Sequence, residues 1–408
     1  MSEVLTKDKK RSLPKGWRWA KLGEICDVIG GSTPKTANPD FWNGDIVWVT
    51  PTDLGKLSNG VINYSDRQIT SVGLHGCGTE LVPVGSVIMS SRAPIGHLAI
   101  AGVSLCTNQG CKSFVPKIGI DSVFLYWALK QSVSNIQALG SGATFTEVSK
   151  SSLQHFKIAV PSLLEQQRIA GILKEQMAAI DKARAATQAR LETVKALPAS
   201  FLRQVFPKQG QPLPTGWRWV KLREACYQDR NIVEPNSADS EALTYYSLEH
   251  IESGTGEILK EYSEQIENTG KSTTFRFDVH HVLYGKLRPY LNKVALPNNP
   301  GRCTTEMIPL MPHNIIDRVY LAWILRRQET VEFAMRDKTG SRMPRADMES
   351  LLTLEIPLPK ISKQYEIIES LNNRILAVKK ATEKIEAEVE TINALPAALL
   401  RRAFNGEI

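Results

Sequence analysis

Between residues 161 and 198 the polar and apolar positions of the chain recur every seven residues. Gln166, Leu173, Ile180, Thr187 and Val194 form one series, and Ile169, Gln176, Ala183, Arg190 and Leu197 follow three positions later. A shift of 198 residues finds the same register again, in Gln364, Leu371, Val378, Ile385 and Ile392 with Ile367, Arg374, Ala381, Glu388 and Leu395. Seams of this period predict two long helices, over residues 161–198 and 359–396. Ser162 and Glu165 have capping-box spacing at the start of the first helix, whereas Lys360 takes the place of that serine in the second. Pro198 and Pro396 predict where both helices end, because proline lacks the donor that a helix interior needs. Each helix of about 34 residues would span about 50 Å. An amphipathic helix of that length needs a partner, and its own repeat supplies one. The two are expected to pair antiparallel as a coiled-coil spacer; the alternative is two separate helices, each packed on its own domain.

Elsewhere the period shortens. Asn43-Gly44 precedes an alternating strand over 45–50, and LVPVGSVIMSSRAPIGHLAIAG reads as two strands joined through Ser90, Ser91, Arg92, Ala93 and Pro94. An amphipathic helix follows from Asp121 and stops at a Gly140-Ser141 turn. The second half has a parallel plan. HHVLYGKLRPYLNKVAL (His280 to Leu296) answers the strand pair, CTTE (Cys303 to Glu306) answers CTNQ (Cys106 to Gln109), and DRVYLAWILRRQETVEFAM answers the helix before Gly340-Ser341.

The ends of the two halves are closer still. LPKGWRWAKLGEIC (Leu13 to Cys26) and LPTGWRWVKLREAC (Leu213 to Cys226) agree at ten of fourteen positions, and ALPASFLRQVF returns as ALPAALLRRAF. The predicted fold class is α+β, with one domain plan built twice over residues 13–160 and 213–358. The long helices, a connector over 199–212, a disordered tail over 1–12 and a C-terminal repeat segment over 397–408 complete it. Because the ends agree and the middles differ, the scaffold is fixed and the middles carry what varies.

Composition narrows the classes. The 408 residues accommodate two domains. No apolar run approaches the roughly 20 residues of a bilayer span, and the polar start lacks the apolar stretch of a secretory signal, so a cytoplasmic location is expected. The six cysteines form no CxxC pair, as for free thiols in a reducing compartment. Cys106 and Cys111, with His97 nearby, leave a zinc site open against the simpler reading of small buried side chains. A net charge of +8 and a pI near 9.1 point to a polyanionic partner.

Candidate reaction centres do not assemble. Thr269, Gly270, Lys271 and Ser272 resemble the end of a phosphate-binding loop, but Gln265 stands where its first glycine belongs. Pro39-Asp40 followed by Asp53 and Lys56 is similar to a nuclease motif with its spacing one residue too long. His280 and His281 are adjacent and would point to opposite faces of a strand. What the loops do hold is hydrogen-bond donors. Lys35, Arg92, Lys286, Arg288, Lys293, Arg342 and Arg345 sit beside Gly, Ser or Pro, with Ser32, Thr33, Ser91, Asn108, Gln109, Tyr290, Asn292, Thr304 and Thr305 nearby. Double-stranded DNA requires both kinds, cations for phosphates and Arg, Asn or Gln for base edges; the alternative is that they are solvated loop residues.

The duplicated LPxGW segments at 13–17 and 213–217, the run IAVPSLLEQQRIAGIL, the C-terminal LPAALLRRAFNGEI and VLYGKLRPYLNKV together resemble the DNA specificity subunit of type I restriction–modification systems, over essentially the whole chain. The resemblance implies a non-catalytic protein. Each middle would be a target recognition domain reading half of a split, asymmetric site. The paired helices would set the gap between halves and dock two methyltransferase subunits. The resemblance also implies no cofactor on this chain: S-adenosylmethionine, ATP and Mg would be bound by the methyltransferases and, where present, by motor-nuclease subunits. Three rival readings remain open from the sequence: an orphan subunit supplying recombinable recognition domains, a self-contained DNA-cleaving or modifying enzyme, and a coiled-coil adaptor indifferent to nucleic acid.

Overall fold

In the computed structural model the repeated Gly-Trp-Arg-Trp segments become strands that close each half upon itself. Arg18–Lys21 pairs antiparallel with Lys157–Val160, and Arg218–Lys221 pairs with Glu355–Leu358. The registers correspond, Arg18 opposite Val160 and Arg218 opposite Leu358. Each long helix therefore starts beside the strand that opens its domain. The structure describes residues 13–57, 59–92, 94–140, 147–259, 272–336, 338, 340 and 342–408. The expected tail, the serines of both Gly-Ser turns and the candidate phosphate loop over 265–271 lie outside them.

The chain divides into two units. One comprises the chain up to Thr187 together with Glu388–Ile408, and the other runs from Gln188 to Ala387. In the first, a five-stranded sheet has the order Cys26–Gly30, Cys111–Pro116, Val87–Ser90, Leu98–Ala101, Val61–Ile62. A three-stranded sheet, Gln68–Ile69, Trp42–Val49, Leu105–Thr107, accompanies it. In the second unit a four-stranded sheet runs Cys226–Gln228, Met307–Pro312, Val282–Gly285, Val294–Ala295. Another has the order Ile232–Val233, Thr274–Phe277, Gly301–Thr304, Tyr245–Tyr246. The helix expected from Asp121 is two, Ser122–Gln131 and Val133–Gln137, and its counterpart is Arg318–Arg326 followed by Gln328–Arg336. Asp121 and Asp317 cap the leading helices, accepting from Phe124 N at 2.8 Å and from Val319 N at 2.7 Å.

The long helices span Leu163–Val205 and Ile361–Phe404, 43 and 44 residues, so both run through their prolines instead of ending there. An interior proline costs a helix about 3 kcal/mol. Beyond Pro198, however, Leu202 and Phe206 are buried in the second unit, where the Phe206 and Tyr320 rings stand 5.5 Å apart. Beyond Pro396, Leu399, Leu400 and Ala403 enter the core of the first unit, and Phe404 lies 6.3 Å from Trp17. Burying each such large side chain stabilises by about 1.5–3 kcal/mol, so tertiary packing outweighs the local penalty. The C-terminal repeat segment is accordingly part of the second long helix and of the first unit's core.

The helices pair antiparallel, as expected. In the first unit Arg184 Nε donates to Asn393 Oδ1 at 3.0 Å and Thr187 Oγ1 to Glu388 Oε1 at 3.4 Å. In the second, Lys195 pairs with Glu386 at 2.8 Å and Arg374 lies over the Phe201 ring. The seam itself differs from expectation in one series. Leu173 and Thr187 are buried with Ile180 and Val194 half-buried, but through the middle of the helix the companion positions fall four residues later. The three-residue spacing holds only towards its ends, where Ile169 is buried and Leu197 half-buried. Ala170 and Leu191 are buried and Met177 and Arg184 half-buried, while Gln176, Ala183 and Arg190 are exposed. In the second helix Ile368, Ile375, Thr382 and Val389 are half-buried; of the expected series Ile367 is buried and Ala381 half-buried, whereas Arg374, Glu388 and Leu395 are exposed. A series spaced by sevens is shared by both choices of companion, and the apolar Met177 and Leu191 decide between them.

At the start of each long helix a fully buried glutamine locks it to its domain. Gln166 Oε1 accepts from Asp121 N at 2.9 Å, and its amide donates to Gly119 O and Pro161 O. Gln364 makes the same three bonds, to Asp317 N, Ile315 O and Pro359 O. The Ser162 hydroxyl accepts from Glu165 N at 3.4 Å, while the Glu165 carboxylate turns to Arg168. Among the described residues no helix is long and apolar enough to cross a membrane.

Candidate nucleic-acid interface

Strand register decides which loops meet. In the first unit Gly30 stands opposite Lys112, and Ser90 opposite Cys111. The segments following Gly30 and Ser90 and the turn preceding Cys111 therefore gather at one end of the five-stranded sheet. Ser32 N donates to Thr107 O at 3.0 Å, Ser91 N to Gly110 O at 2.8 Å, and the Thr33 hydroxyl bonds the Gln109 side chain. Only glycine fits at position 31, where a Cβ would come 2.0 Å from the Asn108 carbonyl. Two indoles hold the first loop from beneath: Trp48 Nε1 donates to Ser32 O at 3.0 Å and Trp42 Nε1 to Lys35 O at 3.4 Å. Asn108 Oδ1 accepts from Gly110 N at 2.9 Å. Lys35 and Gln109 are exposed, and Ser32, Thr33, Arg92 and Asn108 half-buried.

Ser91 belongs beneath this surface instead of on it. It is fully buried, its hydroxyl donating to Gly110 O and accepting from Lys112 Nζ at 3.1 Å. Lys112, which pattern reading missed, also donates to Gln109 O at 3.1 Å and to Glu147 Oε1 at 3.2 Å. It ties together the strand end, the turn and the returning segment, where Arg92 and Glu147 form a β-bridge.

The second unit gathers the corresponding segments. Gly285 stands opposite Met307, Lys286 N donates to Glu306 O at 2.9 Å, and Leu287 bridges to Arg345. Here the polarity of the clamp is reversed: the base, Arg345, lies on the returning segment and meets Glu306 on the turn at 2.8 Å. Arg288 and Asn292 adopt left-handed conformations at φ of 51° and 50°. They flank the single 3-10 turn Pro289–Leu291, on which Tyr290 is 51% exposed. Arg288 and Arg342 are exposed, Lys286, Thr304 and Thr305 half-buried.

Two members of the expected set turn inward. Asn292 Nδ2 donates to Arg326 O at 2.8 Å, and Lys293 Nζ to Leu248 O at 2.6 Å. Burial pulls the Lys293 pKa below the ordinary lysine range. Both side chains brace the loop, each donating to one main-chain carbonyl. The sequence signal for this was weak, because a loop Asn or Lys looks alike whether its partner is a carbonyl or a phosphate.

The other chemical candidates resolve into structure. Asp53 is 6% exposed and accepts from Thr50 N at 2.8 Å and Asp66 N at 3.0 Å, while Lys56 pairs with Asp66. His280 is exposed and His281 buried, the latter flanked by Asp278 at 2.9 Å and Asp229 at 3.2 Å. Cys106 packs against Trp42, Trp48 and Ile69, and Cys111 in a separate cluster with Val49, Leu54 and Ile88. Among the described residues no group of three or more His, Cys, Asp or Glu could hold a metal.

Known proteins share this plan. The chain is 24% identical over 422 residues to the type I restriction enzyme MjaIX specificity subunit of Methanocaldococcus jannaschii, covering 97% of this chain and 94% of that one. The solved HsdS subunit from Thermoanaerobacter tengcongensis superposes with a TM-score of 0.65 at 21% identity, over 98% of this chain and 99% of that one. A second solved chain is described under the complex assembly and conformational transition of the type I R-M system. It gives a TM-score of 0.76 at 20% identity, over 98% of this chain and 100% of its own length. The family model of the type I restriction modification DNA specificity domain matches twice, at residues 14–193 and 216–391. With both halves of the duplication matched, the chain belongs to the type I restriction–modification DNA specificity subunit family.

Proposed function

We propose that this specificity subunit reads a split DNA site, each recognition domain taking one half through the loops at its sheet end. The proposal extends to two methyltransferase subunits docked along the paired helices. The methyltransferases supply S-adenosylmethionine chemistry on adenine, and the chain adds recognition alone. The observation that carries this reading is the repetition of one sheet-end surface in two chemically different versions. Ser32, Thr33, Lys35, Arg92, Asn108 and Gln109 form the first, and Lys286, Arg288, Tyr290, Thr304 and Arg342 the second, held by the Arg345–Glu306 pair. One scaffold with two different donor sets suits two different base sequences. Cations fix the backbone while amides and guanidinium groups address base edges.

Co-expression with a type I methyltransferase subunit in a methylation-free host, followed by genome-wide mapping of modified adenine, tests it. The expected result is a two-part motif with a fixed unread gap. A soluble complex that methylates an uninterrupted motif, or nothing, would refute the split-site reading.

A further inference from the structure

The three-stranded sheet of the first unit carries an arginine that no sequence pattern singled out. Arg67 is exposed, and its guanidinium carbon lies 3.5 Å from the centroid of Trp42 and 5.7 Å from that of Trp48. The two indoles stand edge to face at 5.1 Å and are themselves 8% and 3% exposed. Among the described residues no carboxylate pairs with this guanidinium, and the adjacent Asp66 is engaged by Lys56. The same two indoles donate to the carbonyls of Lys35 and Ser32. Arg67 is thus fixed, by stacking, next to the loop that carries Ser32, Thr33 and Lys35.

We propose that Arg67 is a base-reading residue of the first recognition domain, presenting its guanidinium edge to the O6 and N7 of a guanine. This rests on the reading of the sheet end as a DNA surface. Stacking on an indole covers one face of the guanidinium and leaves its N–H donors directed outward in the guanidinium plane. A rigid planar fork with unmatched donors fits a guanine's major-groove edge, the commonest specific contact arginine makes. An arginine kept only to cover Trp42 would serve equally well with its fork paired to an acid. A phosphate contact would need only a charge, which lysine also supplies.

The test uses the full complex with its methyltransferase subunit, comparing wild type with Arg67→Lys and Arg67→Ala by methylome mapping and by binding to oligonucleotides carrying the mapped motif. Both variants are expected to lose discrimination at one guanine of one half-site. The preference over other bases there should fall about 10- to 100-fold, and the other half-site should stay as sharp as in wild type. Both half-sites unchanged in both variants would overturn the proposal. So would binding that weakens equally for all sequences, with a shallower salt dependence in Arg67→Ala and rescue by Arg67→Lys, because that is the signature of a phosphate contact. A wild-type complex that yields no split motif would remove the underlying reading, and the proposal with it.

Discussion

With its ammonium group buried, Lys112 must have each of its three donors matched, and the acceptors come from three separate segments: Ser91, Gln109 and Glu147. Lys112→Met keeps the stem and removes the donors. It should lower stability by about 1–3 kcal/mol, the range for leaving buried polar partners unmatched. Urea unfolding would measure this, and the half-site read by the first domain should broaden while the other does not. Equal broadening of both half-sites would contradict a local role. None of this is legible in the sequence, since a lysine is ordinarily solvated and its carboxylate partner stands far along the chain. The cysteines were easier to read, being small side chains within strand or helix patterns. Burial pushes the Cys26, Cys106 and Cys226 thiols up to about 12 and those of Cys111 and Cys303 higher still. Thiolate is the reactive species, so alkylation of the native protein at neutral pH should modify only Cys77, the one cysteine that is not buried. Mass spectrometry after denaturation should find all six sites reactive; rapid native labelling of any buried position would contradict the packing.

At the scale of elements, the heptads were legible because a period of seven is carried by many residues at once, and the antiparallel pairing followed from the duplication. The middle of the companion series and the helix ends were not legible, for a physical reason: both depend on what the helix touches. Leu191 is buried and Gln176 exposed, so Leu191→Ala should cost about 2–5 kcal/mol whereas Gln176→Ala should stay within about 0.5 kcal/mol. Reversal of that order in chemical denaturation would restore the three-residue spacing. Proline was read as a stop because local propensity was the only term visible in the sequence, while Leu202, Phe206, Leu399 and Ala403 supply the packing that continues the helices. The paired glutamines were visible only as polar breaks in an apolar seam. Gln166→Leu and Gln364→Leu each leave one buried N–H and two carbonyls unmatched, and about 1–3 kcal/mol per orphaned group is the expected loss. The two variants should lose stability alike, because the bonds are the same. A large effect at one and none at the other would show that the repeats are held differently.

For the whole molecule, duplication joins closely matching ends to unlike middles. The strand pairs Arg18–Lys21 with Lys157–Val160 and Arg218–Lys221 with Glu355–Leu358 share their register. The glutamine locks lie beyond those pairs and reach back to equivalent loops. A middle removed between the zipped strands therefore leaves behind the same attachment in either half. The sequence showed this plan through its repeated ends. It did not show that Glu388–Ile408 belongs to the first unit, because membership in a core is a matter of contact and not of chain order. The consequence is a chain in which residues 22–156 are replaced by residues 222–354, so that the second middle appears twice. The lock of the first half must then accept the Ile315 and Asp317 loop in place of that of Gly119 and Asp121, which Gln364 already does through the same three bonds. Such a chain should fold, bind the methyltransferase, and methylate a motif whose two halves carry the same bases. Methylome mapping of the exchanged chain beside wild type decides the matter. Retention of the original first half-site would mean that the bases are read outside the exchanged middle. A folded complex with two new, unlike half-sites would mean that the two ends shape what each middle reads.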